Sequence, residues 1–419
     1  MNRINVVKLN SSGGILRVVY EISPALEPYF TAERVFEVEY SEDISSVPES
    51  VLVIPFVCNV LPVAWLTDAV LGLPELDREF YEGIPGVLKG YADMSPMLEF
   101  KGAVKAEKLV DNSYMTSDKV GALFSGGVDA FATLIAHAEE RPQLITLWGA
   151  DVKLTDADGW DKVRCHVLET SRQFGLDSPV LVKTTFRTMV DEAALSALCS
   201  ASGEAWWYGF QHGIAIIGHA APLAYLKRWK TVYIASTNTI KDKLICASDP
   251  TIDNNVRLVS TGVWHDQYEC TRQQKVQHIV EYCREKGSDV QLRVCWQSAG
   301  GSNCCLCEKC ARTLYNLLAE GAEPFSYGFD SYNQHISLHP LLARRGMAEM
   351  THLRPFWQDI QDRFRETQAY RRDKRINWIY TLDVNHPLTW KMRVKQIAKQ
   401  RFPLAVRVLR FIKRKLQGR

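Results

Sequence analysis

From Val120 onward, short apolar runs alternate with amphipathic stretches. GALF precedes 129–140, LITLWGA precedes 160–174, PVLVKTTF precedes 187–199, and a longer helical stretch over 204–227 leads into TVYIAS. Strand-length apolar runs separated by helix-length periodic segments are the pattern of a parallel sheet covered by helices on both faces. The expected fold is therefore α/β with a doubly wound parallel sheet. Before residue 115 the pattern is different. ILRVVYEI, VFEVEY and VLVIPFV read as strands, whereas PVAWLTDAVLGL and FYEGIPGVLKGYADM read as helix or loop, which predicts a mixed α+β N-terminal module over 1–115. The polar, aperiodic Asp111-Asn112-Ser113 predicts a linker into a domain over 116–325. In its later part VRLVSTG, a helix over 271–286, the strand VQLRVC and a helix over 308–320 follow one another. Residues 326–390, rich in aromatic, Arg and Asp residues, form an extension with no pattern that assigns a fold. No internal repeat is visible.

Composition narrows the class. With 419 residues, 46% hydrophobic and 23% charged, the chain has the make-up of an ordinary globular protein with more than one core. Its longest apolar run, Val51 to Leu66, is broken by Pro55, Asn59 and Pro62, and the amino terminus lacks the charged-then-apolar pattern of a signal peptide. A cytoplasmic protein is expected. The net charge of +2 conceals a tail: 391–419 carries eleven Lys or Arg and no Asp or Glu, so the rest of the chain is net acidic by nine. In the tail Val394, Ile397, Ala398, Val408, Leu409, Ile412 and Leu416 recur at helical intervals between basic residues. That is the pattern of a basic amphipathic helix, suited to peripheral contact with the anionic inner face of a membrane or to solvent exposure with one docked face. Nucleic acid is a weaker candidate partner.

Five of the eleven cysteines fall within 295–310, and Cys295, Cys304, Cys307 and Cys310 have the order C-x8-C-x2-C-x2-C. Two thiolates two residues apart reach one ion across a tight turn, and a further step plus a distant thiolate closes a tetrahedron. Structural zinc is expected, with an iron–sulfur cluster as the rival. Cys305 stays outside the set because a C-x-C step is geometrically poorer. The scattered Cys58, Cys165, Cys199, Cys246, Cys270 and Cys283 read as core residues or isolated thiols.

Ser125-Gly126-Gly127-Val128-Asp129 lies between a strand ending at Phe124 and a helix starting near Asp129. Glycines let the backbone approach a bulky anion, the first-turn amides of the helix point at it, and Ser125 adds a hydroxyl. Asp129 would repel phosphate directly, so it is expected to hold Mg2+ or to cap the helix. The segment has no GxxxxGK[ST] pattern and lacks its lysine, which favours release of pyrophosphate over γ-phosphoryl transfer.

The SGGVD loop resembles the SGGxDS loop of the PP-loop ATP pyrophosphatases, the adenine nucleotide alpha hydrolase group. With the four cysteines and Arg312 behind them, the chain is similar over about 120–320 to the 7-cyano-7-deazaguanine synthase family, and Gln211-His212-Gly213 through TVYIAST resembles that family's helix and strand after an Arg-Asn pair. Ala130 stands where the loop pattern has Ser or Thr, and His212-Gly213 stands where it has Arg-Asn. The resemblance implies a PP-loop/HUP-type fold that uses ATP, Mg2+ and structural Zn2+. It further implies an AMP-forming C–N ligase that adenylates a small carboxylic acid for attack by ammonia or an amine, with Ser125 and Asp129 in catalysis and Ser125 to Asp129 binding ATP. A tRNA sulfur transferase with a persulfide on Cys305, and a non-catalytic ATP-binding protein, are the alternatives. Asp151, His212, His265 and Asp266 are further polar candidates, each balanced by an ordinary role in a loop, core or turn.

Overall fold

The computed structural model describes residues 2–242, 244–295, 297 and 301–385. The basic stretch 391–419 lies outside the described residues. Eleven strands form one sheet among them: β1 (Asn2–Ser12), β2 (Ile15–Ile22), β3 (Val35–Tyr40), β4 (Ala69–Asp77), β5 (Ala103–Val110), β6 (Val120–Leu123), β7 (Gln143–Trp148), β8 (Val180–Thr184), β9 (Thr231–Ala235), β10 (Arg257–Leu258) and β11 (Thr261–Asp266). Their order is β10-β11-β9-β6-β7-β8-β3-β2-β1-β4-β5.

The segment β11-β9-β6-β7-β8 is parallel throughout. Ranked by sequence and read from β8 to β11, these five strands run 3-2-1-4-5, the order of a doubly wound half-sheet whose direction of winding reverses beside its first strand. All four residues of β6 are buried, as a strand covered on both faces requires, so it reads as an apolar run and not as an alternation. The N-terminal strands do not make a sheet of their own. β3 pairs antiparallel with β8, Val38 opposite Thr184, and β2, β1, β4 and β5 continue from it. Two sheet edges that would each present unpaired backbone groups thereby satisfy one another. The expected linker is likewise tied down, with Asn112 Nδ2 donating to Asp77 Oδ2 at 2.9 Å and to Ser50 Oγ at 3.0 Å.

Three local expectations change. VLVIPFV is not a strand: it falls in Glu49–Leu52 and in the helix Ile54–Leu66, of which every residue from Ile54 to Trp65 is buried. A helix apolar on all sides has no stripe to betray its period, and Pro55 sits in the first turn, where no intrahelical bond is lost. PVAWLTDAVLGL then divides between that helix and β4. The long helix over 204–227 divides into a π-helical turn Trp207–Gln211, His212–Gly218 and Ala221–Lys227.

At the break, His219 is fully buried. Its Nδ1–H donates to Ala215 O at 2.6 Å and its Nε2 accepts from Thr184 Oγ1 at 2.8 Å. Burial pushes its pKa down from 6.5 to about 4, so the fold holds it neutral while the unfolded chain protonates near 6.5. Its contribution is full above about pH 6.5 and is lost as pH falls toward 4, at up to about 1.4 kcal/mol per pH unit. Urea unfolding at pH 7, 6 and 5 should show stability falling with pH, and less steeply in His219→Gln; equal slopes would contradict this.

The contact pattern divides the chain at Ser302. From Asn303 on, the described residues are helical, chiefly Glu308–Ala319, His339–Glu349 and Arg354–Thr367. Tyr315 is their hub, with ring centroids 5.7 Å from His339, 6.0 Å from Trp357 and 4.9 Å from Trp378. The buried polar tips are satisfied: Trp378 Nε1 donates to Tyr315 OH at 2.7 Å, and Trp357 Nε1 to Glu308 Oε1 at 2.9 Å.

Candidate functional site

The reversal in strand order falls between β6 and β9, the position where open α/β sheets bind ligands at the carboxyl ends of their strands. Ser125-Gly126-Gly127 leaves β6 there, and Ser236 leaves β9. Phe124 N–H still bonds across to Ile145 O at 2.8 Å, and the helix Val128–Ala136 begins four residues later with Gly127 as its N-cap.

The two glycines are not equivalent. Gly126 has φ +77, in the left-handed region, and a Cβ there would stand 2.7 Å from His166 Nε2. Gly127 has φ −80, and a Cβ on it would meet nothing closer than 3.5 Å. Conformation and space therefore demand glycine only at 126. Ser125 is exposed, with its Oγ 3.4 Å from Gly127 N. Val128 is fully buried, backbone included, so the structure shows no exposed atom of it for the expected ATP contact.

Arg293 grips the back of this turn. Its own N–H donates to Gly126 O at 2.7 Å, and its Nε and Nη2 donate to Ser125 O at 3.1 and 2.8 Å. In a trans peptide the N–H lies opposite the preceding C=O. Two carbonyls turned to Arg293 thus leave the N–H groups of Gly126 and Gly127 facing the other way, side by side, as in an anion-binding nest. Gly126 N–H has no hydrogen-bond partner among the described residues.

Asp129 is engaged by two cations of the helix Arg272–Lys286: Arg272 Nη1 lies 2.9 Å from Oδ2 and Lys275 Nζ 3.6 Å from Oδ1. Both side chains are almost wholly buried, at 3% and 1% exposure. Lys275 also donates to Ser236 O at 2.5 Å, so this cluster ties the turn after β9 to the loop after β6. Burial pushes the Lys275 pKa down, and the Asp129 charge opposes the shift. Asp129 is not the helix cap, which is Gly127, and a magnesium ion on its carboxylate would have to displace two buried cations. His166, facing Gly126, is held down to about 4 by burial and by the Arg293 charge, so it is neutral at physiological pH.

The four cysteines come together. Their Sγ atoms all lie within 4.8 Å of one another, and Cys295, Cys307 and Cys310 are buried. Cys304 and Cys310 Sγ are 3.9 Å apart, too far for a disulfide and close to the edge of about 3.8 Å of a thiolate tetrahedron around zinc. Leu306 N–H points at Cys304 Sγ and Cys310 N–H at Cys307 Sγ, each at 3.4 Å, outer contacts that orient metal-bound sulfur. The set fits a tetrahedral ion such as zinc with no open position. Cys305 has φ +53 and is fully buried; its carbonyl accepts from His339 Nε2 at 3.1 Å.

The remaining candidates are placed elsewhere. His265 and Asp266 end β11 and are buried, not in a solvated turn: His265 Nδ1 bonds Asp253 Oδ2 at 2.8 Å, and Asp266 Oδ1 bonds His137 Nε2 at 3.1 Å. His212 stacks on Tyr208 with centroids 5.9 Å apart, and Asp151 is exposed beyond β7. Arg293, Arg272, Lys275 and His166 were not marked by any sequence motif. A cavity of about 760 Å³, lined among others by Lys119, Arg141 and Arg228, opens at the beginnings of β6 and β7, the sheet edge opposite the loop. Among the described residues no helix is long and apolar enough to cross a membrane. Comparison with family models, curated proteins and solved structures returned no match.

Proposed function

We propose that the chain is an ATP-dependent, AMP-forming ligase of the PP-loop type, related to the 7-cyano-7-deazaguanine synthase family, with structural zinc on Cys295, Cys304, Cys307 and Cys310. The observation that carries the reading is the left-handed Gly126 turn at the point of strand reversal, with two adjacent amide N–H groups turned away from Arg293. A triphosphate laid there would meet the N–H groups of Gly126 and Gly127, the Ser125 hydroxyl and the positive end of the helix Val128–Ala136. Arg272 and Lys275 face Asp129 and, for Lys275, also Asp266, so the loop amides and the helix dipole would supply the attraction for an anion. Mg2+ would arrive on the nucleotide, shielding its phosphates.

A small carboxylic acid attacks the α-phosphorus and pyrophosphate leaves with the bonding electron pair of the α–β bridge. Fixed donors along the loop stabilise the charge that grows on this leaving group and need no reorganisation to do so. Ammonia or an amine then attacks the acyl carbon, loses a proton, and AMP departs. The sulfur-transfer alternative is disfavoured by Cys305, whose thiol is buried where a persulfide nucleophile needs access.

ATP/pyrophosphate exchange screened over carboxylic acids tests the reading. Acid-dependent exchange is expected, reduced about a hundredfold in Ser125→Ala, within the range for loss of one preorganised donor. ATP binding with no exchange for any acid would overturn the ligase and leave a nucleotide-binding protein.

A further inference from the structure

We infer that Arg293 is a positioning residue that sets the peptide planes of the Ser125–Gly127 turn, and that metal loading of the four-cysteine centre acts on this turn through it. The inference rests on the ATP reading for its ligand but not for its geometry.

Residues 290–295 belong to none of the strands, contrary to the strand expected over VQLRVC, but Val290, Leu292 and Val294 are buried with Gln291 exposed between them. That alternation anchors one side of the segment in the core and turns the other toward the loop. Arg293 spends three donors on two consecutive carbonyls, Ser125 O and Gly126 O. Glycine at 126 accepts either sign of φ with little penalty, so within the turn only the long bond from Gly127 N–H to Ser125 Oγ, at 3.4 Å, opposes a peptide flip. The guanidinium fork supplies the missing constraint, and its planar geometry is what reaches Ser125 O with both Nε and Nη2. Two residues later comes Cys295, one of the four grouped thiols. An ion on Cys295 fixes the end of the segment that carries Arg293, and so fixes the direction of the amide N–H groups that face a phosphate.

The test uses the full chain loaded with zinc, compared with Arg293→Ala and Arg293→Lys. Without nucleotide, hydrogen exchange over 121–136 is expected to quicken several-fold in both variants, because lysine keeps the charge but not the fork. Exchange unchanged in Arg293→Ala would overturn the inference, as would full restoration by lysine, which would make the effect one of charge alone. With ATP and magnesium, affinity is expected to fall roughly tenfold or more in Arg293→Ala. Zinc removal should weaken ATP binding in the wild type and add little in Arg293→Ala; equal losses in both would sever the proposed link. Should the stripped protein unfold, Cys295→Ser kept folded in excess zinc is read instead: exchange over 121–136 quickened as in Arg293→Ala supports the link, and exchange like that of the wild type overturns it. Faster exchange in Arg293→Ala together with no ATP binding by the wild type would sink the ligase and leave the positioning role standing.

Discussion

Cys310→Ser is expected to empty the four-cysteine centre and to lower stability by about 4 kcal/mol or more, placing it among the largest effects a single substitution has. Four thiols within 4.8 Å, three of them buried, are favourable only when an ion offsets their charge, and metal affinity at such a site is itself folding free energy. Serine is a harder and weaker ligand, and three remaining sulfurs leave an open position that water would fill. Cys310 also lies in the first turn of the helix that carries Tyr315, whose ring lies against Trp357 and Trp378, so the damage should spread into that aromatic core. Cys305→Ser is the control. It lies in the same knot but outside the four, and should keep one zinc per chain at a modest cost in stability. Metal analysis with thermal unfolding of both variants checks this; equal metal content in the two would refute the assignment of ligands.

Gly126→Ala is expected to weaken ATP binding at least about a hundredfold, whereas Gly127→Ala should change it only a few-fold. At 126 alanine adopts a left-handed φ of +77 and places its Cβ 2.7 Å from His166 Nε2. The conformation alone costs about 1 to 2 kcal/mol, and the contact pushes either the turn or the imidazole. Relief by flipping the peptide would break the bonds to Arg293 and turn the amides away from the phosphate. At 127 the extended backbone accepts alanine, and the nearest atom to its Cβ is Ser125 Oγ at 3.5 Å. Asp129→Asn would be a poorer probe of magnesium, since it leaves Arg272 and Lys275, both buried, facing a neutral group.

Some of this architecture is legible in the amino-acid sequence itself. The run of buried strands and amphipathic helices from Val120 announced a parallel sheet, and the cysteine spacing announced the knot, because both are local periodicities. The helix Ile54–Leu66 was misread because burial on every side erases the period. The union of β3 with β8 was invisible because pairing between distant strands leaves no mark in either sequence. Likewise Gly126 and Gly127 look alike in sequence, and only the sign of φ and the distance to His166 separate them. Arg293, Arg272 and Lys275 reach the loop from segments more than 140 residues away, at no spacing that a motif records. The helix over 308–320 was legible, but the helical residues after 326 show no such pattern, because their core is built from Trp, Tyr and Gln361, polar-tipped residues whose hydrogen bonds are satisfied internally.

The most direct measurement is a calorimetric titration of ATP with magnesium into the zinc-loaded chain, run beside Gly126→Ala and Gly127→Ala. The account predicts saturable one-to-one binding in the wild type, kept in Gly127→Ala and lost in Gly126→Ala. No heat in the wild type, or the same affinity in both glycine variants, would contradict it.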